Sequence, residues 1–229
     1  MNDVDISVFI AAPVWPYLLF GFLVGTIPFG LIVGRVFFGH DIRQVGSGNI
    51  GAANALRTLG RKAGAAVLIL DVLKGAAAVL AATNHIFYAS PPELQRIGAH
   101  AHVTIVTALV APLAGLAAIV GHCYMPWLRF RGGKGVATFL GAAFALSGES
   151  GIAFLIVWLA VVVPTGLSSL GSMLGTIAAA VAIGVTQRHA GPNAWIFAGA
   201  ATAVILWRHR DNIRRLYNGT ENRLSLLRR

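Results

Sequence analysis

The sequence predicts an all-α polytopic membrane protein of about seven transmembrane helices, with short or partly re-entrant loops that form a site on one face of the bilayer. Three observations lead to this prediction. Hydrophobic residues make up 56% of the 229 positions and charged residues only 11%, whereas soluble domains carry about 25% charged residues. Apolar stretches recur at roughly the 20-residue length that crosses a bilayer. Basic residues concentrate in alternate connecting segments, as the positive-inside rule expects.

Seven apolar stretches account for the helices. In chain order they cover roughly residues 14–38, 63–83, 99–121, 135–148, 151–167, 170–187 and 193–207. The fourth and seventh are shorter than the roughly 20 residues that one crossing needs. Small residues at four-residue spacing favour close packing of helices in lipid, and the pairs are Gly21/Gly25, Gly30/Gly34 and Gly171/Gly175. We expect one membrane-embedded domain over residues 1–229, because the chain is too short to add further soluble domains.

The charge distribution predicts the orientation in the membrane. The formal net charge is +10, from 18 basic and 8 acidic residues. The charges in the segments assigned to the outer side are Asp3, Asp5, Glu93, Glu149, Arg96 and Arg188. Most basic residues therefore belong to the inner side, which receives the segments 39–62, 122–134 and 208–229. An acidic rather than basic N-terminal stretch predicts no cleaved signal peptide and an N-terminus outside the cell.

The first inner segment contains a glycine-rich run with polar side chains, from residue 46 to residue 57. Glycines allow several backbone amides to converge on phosphate oxygens, and a guanidinium group binds phosphate through a planar pair of donors. The candidate ligand-binding residues are Gly46, Ser47, Gly48, Asn49, Gly51, Asn54 and Arg57. The run also contains G-x-G-x-x-G, but a dinucleotide-binding loop needs a preceding strand, and here a membrane span precedes it. A flexible turn between two helices remains the alternative interpretation.

The second inner segment ends in Gly132-Gly133-Lys134-Gly135, immediately before the fourth helix. This order places an ammonium group beside backbone amides that we expect to be exposed. A helix N-terminus attracts anions, so Gly132, Gly133 and Lys134 are predicted to bind phosphate. The run is not a Walker A loop, because a glycine rather than serine or threonine follows the lysine.

Other residues of the second segment have more than one interpretation. Arg129 and Arg131 suit either an anionic ligand or the membrane edge, where Trp127 would anchor the interface. His122 is either a packing or helix-capping residue or a participant in chemistry. Cys123 is the only cysteine, which excludes an intrachain disulfide, and we expect it to be a packing residue.

The third inner segment begins with Arg208-His209 and continues as a polar, basic helix. His209 and Asn212 are three positions apart, which places them on one helical face and makes them candidates for the site. A basic run beside a membrane also binds anionic lipid head groups, and this is the alternative for the arginines of the segment.

Two charged residues lie inside the second span, where charges are costly in lipid. Asp71 and Lys74 are three positions apart, and we expect them to pair with each other or to face the site. Elsewhere the sequence has no H-E-x-x-H, paired cysteines or clustered carboxylates to indicate a metal, and no G-x-S-x-G to indicate a serine hydrolase. We therefore expect no metal and no cofactor.

Taken together, the three inner segments resemble the bacterial acyl-phosphate:glycerol-3-phosphate acyltransferase family. The family's blocks read approximately S-G-N-x-G-x-T-N-x-x-R, G-H-…-F-x-G-G-K-G-V-A-T and K-H-R-x-N-I-x-R-L-x-x-G-x-E. They match residues 47–57, 121–138 and 208–221 in order and spacing. Each block alone is a weak signal, but three in order are specific.

Three positions depart from the family's pattern. Ala53 lacks the hydroxyl of the usual threonine, and Arg208 keeps the charge of the usual lysine. Met125 stands where a proline is expected, with Pro126 one position later. None of these changes removes a group that the implied chemistry needs. The H-x-x-x-x-D signature of the common glycerolipid acyltransferases is absent.

The resemblance implies a seven-helix enzyme of the bacterial inner membrane, with its site facing the cytoplasm, that catalyses the first step of phospholipid synthesis. It would transfer a fatty acyl group directly, without a metal, from acyl phosphate to the sn-1 hydroxyl of glycerol 3-phosphate, giving lysophosphatidic acid and phosphate. The residues implied as catalytic are Ser47, Arg57, Lys134, His209 and Asn212. Those implied to bind substrate are Gly46, Gly48, Asn49, Gly51, Asn54, His122, Gly132, Gly133 and Glu221. The partners would be both substrates and membrane lipid, without nucleic acid, and the chain would act as a monomer.

Two other classes of function compete with this hypothesis. A transporter of anionic solutes would also cluster cations, but near the bilayer midplane and within internal repeats, which the sequence lacks. A non-catalytic module that binds anionic lipid would use the same basic rim and would tolerate loss of Lys134 or Arg57 in proportion to the charge removed. A nucleic-acid binder is disfavoured because the positive charge is tied to the ends of helices.

Overall fold

The computed structural model describes the backbone of residues 14–84, 99–188 and 192–224, and the side chains of these residues except 99–109. All regular elements in these ranges are helical. The predictions made for Asp3, Asp5, Glu93 and Arg96 lie outside the described residues.

The helices follow one another with short connections. In chain order they are α1 Trp15–Gly25, α2 Phe29–Phe38, α3 Ala52–Leu59, α4 Arg61–Thr83, α5 Ala99–Cys123, α6 Val136–Leu146, α7 Gly148–Thr165, α8 Ser168–Thr186, α9 Pro192–Arg208 and α10 Arg210–Tyr217. Two short 3₁₀ turns, Ile42–Gln44 and Pro126–Leu128, interrupt the connections before α3 and α6.

Each of the seven predicted spans contains helix, but not all of them are long enough to cross a bilayer alone. Among the described residues, five stretches are long and apolar enough to cross a bilayer by length and composition: Trp15–Phe38, Arg61–Thr83, Val110–Leu128, Gly148–Thr165 and Ser168–Thr186. At 1.5 Å per residue, the 11 residues of α6 extend only about 16 Å, against a hydrocarbon core of about 30 Å. The 17 residues of α9 extend about 25 Å. The predicted multi-pass helical architecture is thus confirmed. The helices of the fourth and seventh predicted spans, α6 and α9, are shorter than the hydrocarbon core is thick.

The first predicted span is broken into two helices at residues 26–28. Pro28 has no amide hydrogen to donate and disfavours helical geometry at Ile27, so α1 ends and α2 restarts at Phe29. The carbonyl groups freed by the break find donors elsewhere in the fold. Lys74 Nζ donates to the carbonyl of Ile27 at 2.9 Å, and the indole nitrogen of Trp127 donates to that of Thr26 at 2.9 Å.

Glycines allow the helices to approach closely, as the small-residue pairs predict. Gly21 and Gly25 on α1 lie directly against the carbonyl groups of Ala114 and Ala118 on α5, so a side chain at either glycine would collide with backbone. Such contacts suit helix association in lipid, where close van der Waals packing replaces the hydrophobic effect as the driving force.

An aromatic stack joins the helices that enclose the site. Phe139 on α6 and Phe197 on α9 are fully buried and stack with ring centroids 5.8 Å apart, and Phe154 on α7 lies 6.4 Å from Phe139. Aromatic pairs of this kind add about 0.5–1.5 kcal/mol beyond their burial. These aromatic contacts hold α6, α7 and α9 together.

The three inner segments meet at one end of the bundle, as their predicted common side requires. Lys134 in the second segment contacts Asn212 in the third at 2.6 Å. Arg208 donates to the carbonyl groups of Gly132 and Gly133 at 2.7 and 2.9 Å. These contacts span more than 70 positions of sequence and place the polar residues of both segments around one opening.

Candidate active site

A cavity of about 400 Å³ opens at this end of the bundle, between the loop before α3, α3 itself, the first half of α4, and the ends of α6, α8 and α10. All five residues predicted to be catalytic line it: Ser47, Arg57, Lys134, His209 and Asn212. Five of the predicted substrate-binding residues also line it: Asn49, Gly51, Asn54, His122 and Glu221. The remaining four, Gly46, Gly48, Gly132 and Gly133, are not part of the lining.

A hydrogen-bonded chain fixes the ammonium group of Lys134. Its Nζ donates to Oδ1 of Asn212 at 2.6 Å, and Nδ2 of Asn212 donates to Glu221 at 2.7 Å. The same carboxylate accepts from Ser169 Oγ at 3.0 Å and from Arg215 Nε at 2.8 Å. Because an amide has a distinct acceptor and donor end, the carboxylate determines which end of Asn212 faces the lysine.

Burial and hydrogen bonds shift the pKa values of the two charged groups in this hydrogen-bonded chain, Lys134 and Glu221. Burial lowers the pKa of Lys134 to about 8, with the nearby carboxylate of Glu221 acting in the opposite direction. Although burial alone would raise the pKa of Glu221, hydrogen bonds from Asn212, Arg215 and Ser169 lower it below its ordinary value. Both groups are charged at neutral pH. The ammonium group of Lys134 begins to lose its proton only slightly above neutral pH.

His209 is held as a neutral imidazole with one defined tautomer. The side chain is 2% exposed, and its Nδ1 lies 2.8 Å from the carbonyl oxygen of Ile205. A carbonyl oxygen only accepts, so Nδ1 carries the hydrogen and Nε2 is left as the acceptor. Burial and the nearby charge of Lys134 lower the pKa of His209 to about 4, which keeps the ring neutral at pH 7.

Asn54 organises the glycine-rich loop. Its Oδ1 accepts from the amide of Ser47 at 2.9 Å, and its Nδ2 donates to the carbonyl groups of Ile42 and Val45 at 2.9 and 3.1 Å. The side chain is 2% exposed, and these bonds orient the backbone that presents Ser47. A direct contact between Asn54 and substrate stays a prediction.

Replacing Asn54 with alanine is expected to destabilise the protein and to disorder the loop. The change leaves three backbone groups without their partners, and each unsatisfied buried group costs about 1–3 kcal/mol. We expect the free energy of unfolding to fall by about 3 kcal/mol, measured as a lower Tm in detergent. Asn84→Ala is the matched control, because Asn84 is exposed and its amide bonds only to Leu80 of its own helix. Equal Tm values for the two variants would contradict the assignment.

The glycine-rich loop uses glycine where the backbone requires it. Gly46 and Gly48 have φ angles of 62° and 67°, a region that other residues rarely adopt. Asn49 accepts from the amide of Gly51 at 2.9 Å, next to the start of α3. The loop therefore has a built conformation and is not only a flexible turn between helices.

The amides of Gly132 and Gly133 differ from the sequence-based expectation that they are exposed. They are buried, and they donate to the carbonyl groups of Cys123 and His122 at 3.1 and 2.9 Å. With both amides occupied by the protein, the structure gives these glycines a packing role beneath Lys134. Their contact with substrate remains a prediction that no geometry supports.

Two arginines bring unpaired positive charge to the cavity. Arg57 on α3 and Arg61 at the start of α4 both line it. Within residues 14–84, 110–188 and 192–224, neither is in an ion pair with a carboxylate. Together with Lys134 they produce a positive potential in a partly apolar cavity, which attracts anionic ligands.

Sequence reasoning missed several lining residues. Ser168, Ser169 and Ser172 from α8 face the cavity, and the span that contains them was predicted to start at residue 170. Ser168 and Ser172 are four positions apart in an otherwise apolar helix, and that helical spacing of hydroxyl groups could have indicated a polar face. Arg61 gave no separate signal, because it follows the glycine-rich segment as an ordinary helix-end charge.

Comparison with known proteins identifies the family. A family model described as Glycerol-3-phosphate acyltransferase matches residues 15–219. A glycerol-3-phosphate acyltransferase of Zymomonas mobilis is 44% identical over 208 residues, which is 90% of this chain and 92% of that protein. This chain belongs to the glycerol-3-phosphate acyltransferase family.

Solved structures of the family agree with the fold. The chain is similar to the crystal structure of PlsY (YgiH), an integral membrane glycerol 3-phosphate acyltransferase, in its glycerol 3-phosphate form, with a TM-score of 0.78 and 36% identity over 94% of this chain and 98% of that one. The lysophosphatidic acid form of that enzyme gives a TM-score of 0.77 and 35% identity. The predicted family, helical membrane fold and enzyme activity are confirmed, and the chain is a multi-pass membrane glycerol-3-phosphate acyltransferase.

Proposed function

We propose that this acyltransferase takes its acyl group from acyl phosphate and transfers it to the sn-1 hydroxyl of glycerol 3-phosphate, releasing inorganic phosphate. The observation that carries the proposal is the cationic lining of the cavity by Arg57, Arg61 and Lys134, none of which is in an ion pair with a carboxylate of the described residues. Two phosphate-bearing substrates explain why one site needs several cations. Neutralising the phosphate of acyl phosphate also makes it a better leaving group, so the donor arrives already activated.

The polar groups divide between the two substrates. Glycerol 3-phosphate is held by Ser47, Arg57, Lys134, His209 and Asn212. The backbone of the glycine-rich loop, residues 46–51, receives the phosphate of the acyl donor. Placing the hydroxyl against the acyl carbonyl carbon converts a bimolecular step into an intramolecular one. Cations fixed beside the developing negative charge then stabilise the transition state.

The basicity of His209 determines which group can take the proton of the hydroxyl. Its Nε2 accepts a hydrogen bond from the sn-1 hydroxyl and orients it. A pKa of about 4 makes the ring a weaker base than a phosphate monoester, whose second pKa is about 6. We therefore assign the final destination of the proton to a substrate phosphate oxygen and the orientation of the hydroxyl to His209.

The apolar part of the cavity suits the acyl chain. Leu68 on α4, Leu140 on α6, and Phe154 and Trp158 on α7 line it. Burying a methylene group against such side chains is favourable by about 0.8 kcal/mol. The chain then extends from the polar end of the cavity between helices towards the hydrocarbon core.

Direct transfer needs no acyl-enzyme intermediate. Cys123 is fully buried and is not part of the cavity lining, which leaves it a packing residue. We expect ternary-complex kinetics with both substrates bound together. Ping-pong kinetics, or an acyl group trapped on the protein after incubation with donor alone, would contradict direct transfer.

The donor assignment is tested by following phosphate release from purified protein in detergent or lipid mesophase. Acyl phosphate and glycerol 3-phosphate are expected to release phosphate only when both are present. Acyl-CoA and acyl carrier protein donors run in parallel and are expected to give no product. Lysophosphatidic acid formed only from a thioester donor would overturn the donor assignment while leaving the acyltransferase intact.

The pH dependence of substrate capture is expected to follow Lys134. Its pKa of about 8 means that the ammonium group loses its proton as the pH rises above 8, and an anionic substrate favours the charged form. We expect kcat/KM for glycerol 3-phosphate to fall about tenfold per pH unit above pH 8. Lys134→Arg should shift this decline to higher pH, because arginine stays charged. A decline at the same pH in both proteins would exclude Lys134 as its cause.

We place the site on the cytoplasmic face of a bacterial inner membrane, with the N-terminus outside and the enzyme acting as a monomer in the first step of phospholipid synthesis. The excess of basic residues in the three inner segments supports this orientation. A single cysteine introduced at exposed Asn218 in a Cys123→Ala background tests it. Labelling by an impermeant reagent from the periplasmic side of intact cells would reverse the assignment.

A further inference from the structure

A buried polar cluster lies at the wall of the cavity, inside the helix bundle. Asp71, Lys74 and His122 are 1%, 3% and 4% exposed. The Nζ of Lys74 is 2.8 Å from Oδ1 of Asp71, and Nδ1 of His122 is 3.6 Å from the same oxygen. The sequence left open whether Asp71 and Lys74 pair or face the site. They pair, and Asp71 also lines the cavity.

Lys74 has its own role in the fold. Its Nζ donates to the carbonyl group of Ile27, where α1 and α2 are interrupted, and lies 5.5 Å from the ring of Phe29. The break between α1 and α2 therefore explains why a lysine is buried at this position. It does not account for the third member of the cluster, because His122 belongs to α5 and faces Asp71 alone: its Nδ1 has no hydrogen-bond partner among the described residues.

His122 lies directly beneath the segment that carries Lys134. Its carbonyl group accepts the amide of Gly133 at 2.9 Å. The Nε2 edge of its ring lies against Gly133 so closely that a side chain there would collide with it. The backbone of Gly133 thus packs against this edge of the ring, and His122 also lines the cavity. The ring can therefore support the backbone of Gly133 from the α5 side.

We propose that Asp71, acting through the imidazole of His122, is a positioning residue that holds the Gly132–Gly133 segment and so determines where the Lys134 ammonium group lies. This inference rests on the proposed function for its kinetic readout. The predicted contact of His122 with substrate stays a prediction. Oδ1 of Asp71 lies 3.6 Å from Nδ1, beyond hydrogen-bond distance, so it orients the imidazole ring as its polar neighbour and not through a hydrogen bond. The ring fills the space below Gly133, and Arg208 clamps the segment from the other side through the carbonyl groups of both glycines.

Two double variants separate the carboxylate–imidazole contact from the ion pair. Asp71→Leu with Lys74→Met removes both charges and leaves the imidazole without a polar partner. Asp71→Asn with Lys74→Met also removes both charges, but the retained amide oxygen still faces His122. Replacing a buried ion pair with groups of similar volume is often neutral for stability. The carbonyl of Ile27 loses Lys74 in both proteins but keeps the amide of Phe29 as a donor at 3.1 Å, so both are expected to fold. Ser150→Ala is the matched control, because Ser150 is fully buried in α7 and is not part of the cavity lining.

The expected result is a kinetic loss without a matching loss of stability. Misplacement of a catalytic group by about 1 Å can cost about 10²-fold, so the leucine double variant should lose 10- to 100-fold in kcat, with Tm close to that of the asparagine double variant, which lacks the same bond from Lys74 to Ile27. The asparagine double variant should recover to within about threefold of wild type. A second readout does not require turnover: the pH midpoint for modification of Lys134 by an amine-reactive reagent, read by peptide mass spectrometry. This midpoint should rise from about 8 by a unit or more only in the leucine double variant.

The outcomes are distinct. Equal kcat loss in both double variants, or wild-type kcat in both, would overturn the positioning role of Asp71. An unchanged modification midpoint of Lys134 in the leucine double variant would overturn it even if kcat fell. Failure of the proposed function would instead be seen as an inactive wild-type protein whose Lys134 midpoint still responds to the leucine change.

Discussion

Lys134→Ala is expected to lower kcat/KM for glycerol 3-phosphate about 10³-fold while the protein remains folded. Removing one donor that stabilises transition-state charge costs about 10²–10³ in rate. Here the change also leaves Oδ1 of Asn212 without the donor that it accepts from at 2.6 Å. Steady-state kinetics of phosphate release, with Tm measured on the same preparation, provide the test.

The matched control for this prediction is Lys62→Ala. Lys62 carries the same charge at the exposed start of α4 and is not part of the cavity lining, so its loss should change kcat/KM by less than about threefold, as expected for an exposed charge. A module that only binds anionic lipid would respond to both changes alike, in proportion to charge. Similar losses for the two variants would therefore contradict an active site built around Lys134.

Glu221→Gln is expected to lower kcat about 10²-fold, with KM for glycerol 3-phosphate unchanged or lower. The carboxylate orients Asn212, Ser169 and Arg215 together, and a neutral amide cannot accept from all three with the same strength. Loss of orientation appears in kcat when the interaction matters most in the transition state. Removing a negative charge from a site for anions should at the same time favour binding of the substrate.

Asp211→Asn provides the comparison for Glu221. Asp211 lies exposed in the first turn of α10, close in sequence but not part of the cavity lining. The substitution Asp211→Asn changes the net charge by the same amount without disturbing the hydrogen bonds that link Lys134, Asn212 and Glu221. A raised KM with normal kcat in Glu221→Gln would show that the carboxylate serves substrate binding, as the resemblance first implied, and not orientation of Asn212.

Hydropathy alone could predict most of the fold, because the environment of a membrane helix is its solvent. A stretch such as 63–83 must satisfy its backbone internally and present apolar side chains to lipid, so composition indicates both helix and span. The same reasoning could not foresee the break at residues 26–28. Pro28 permits a break, but the freed carbonyl groups of Thr26 and Ile27 also accept from Trp127 and Lys74, which come from distant parts of the chain.

The candidate site shows the same division. Ser47, Arg57, Lys134, His209 and Asn212 could be selected because short segments rich in glycine and cations have few other uses beside a membrane, and because three such segments in one order resemble a known family. All five line one cavity. Their individual roles in catalysis stay predictions until the variants above are measured.

Partners within the protein were decided only by tertiary structure. The amides of Gly132 and Gly133 are buried, although the sequence predicted them to be exposed. Nothing in the local sequence shows that carbonyl groups at the end of α5 accept hydrogen bonds from these amides. The bond between Ser169 and Glu221 crosses 52 positions, and the sequence offered no reason to connect them.

The sequence by itself determined that this chain is a helical membrane protein with three polar segments on one side, since solvent and local chemistry act on every residue independently of its neighbours in space. Tertiary structure decided which polar groups are left for a ligand and which are consumed by the fold. The physical reason is that a buried donor or acceptor must be paired, and the partner is whichever group the packing of the helices brings within about 3 Å. Thus Asn54 is used by its loop and Asp71 lies beside Lys74 and His122, whereas Arg57 and Arg61 remain unpaired at the cavity among the described residues.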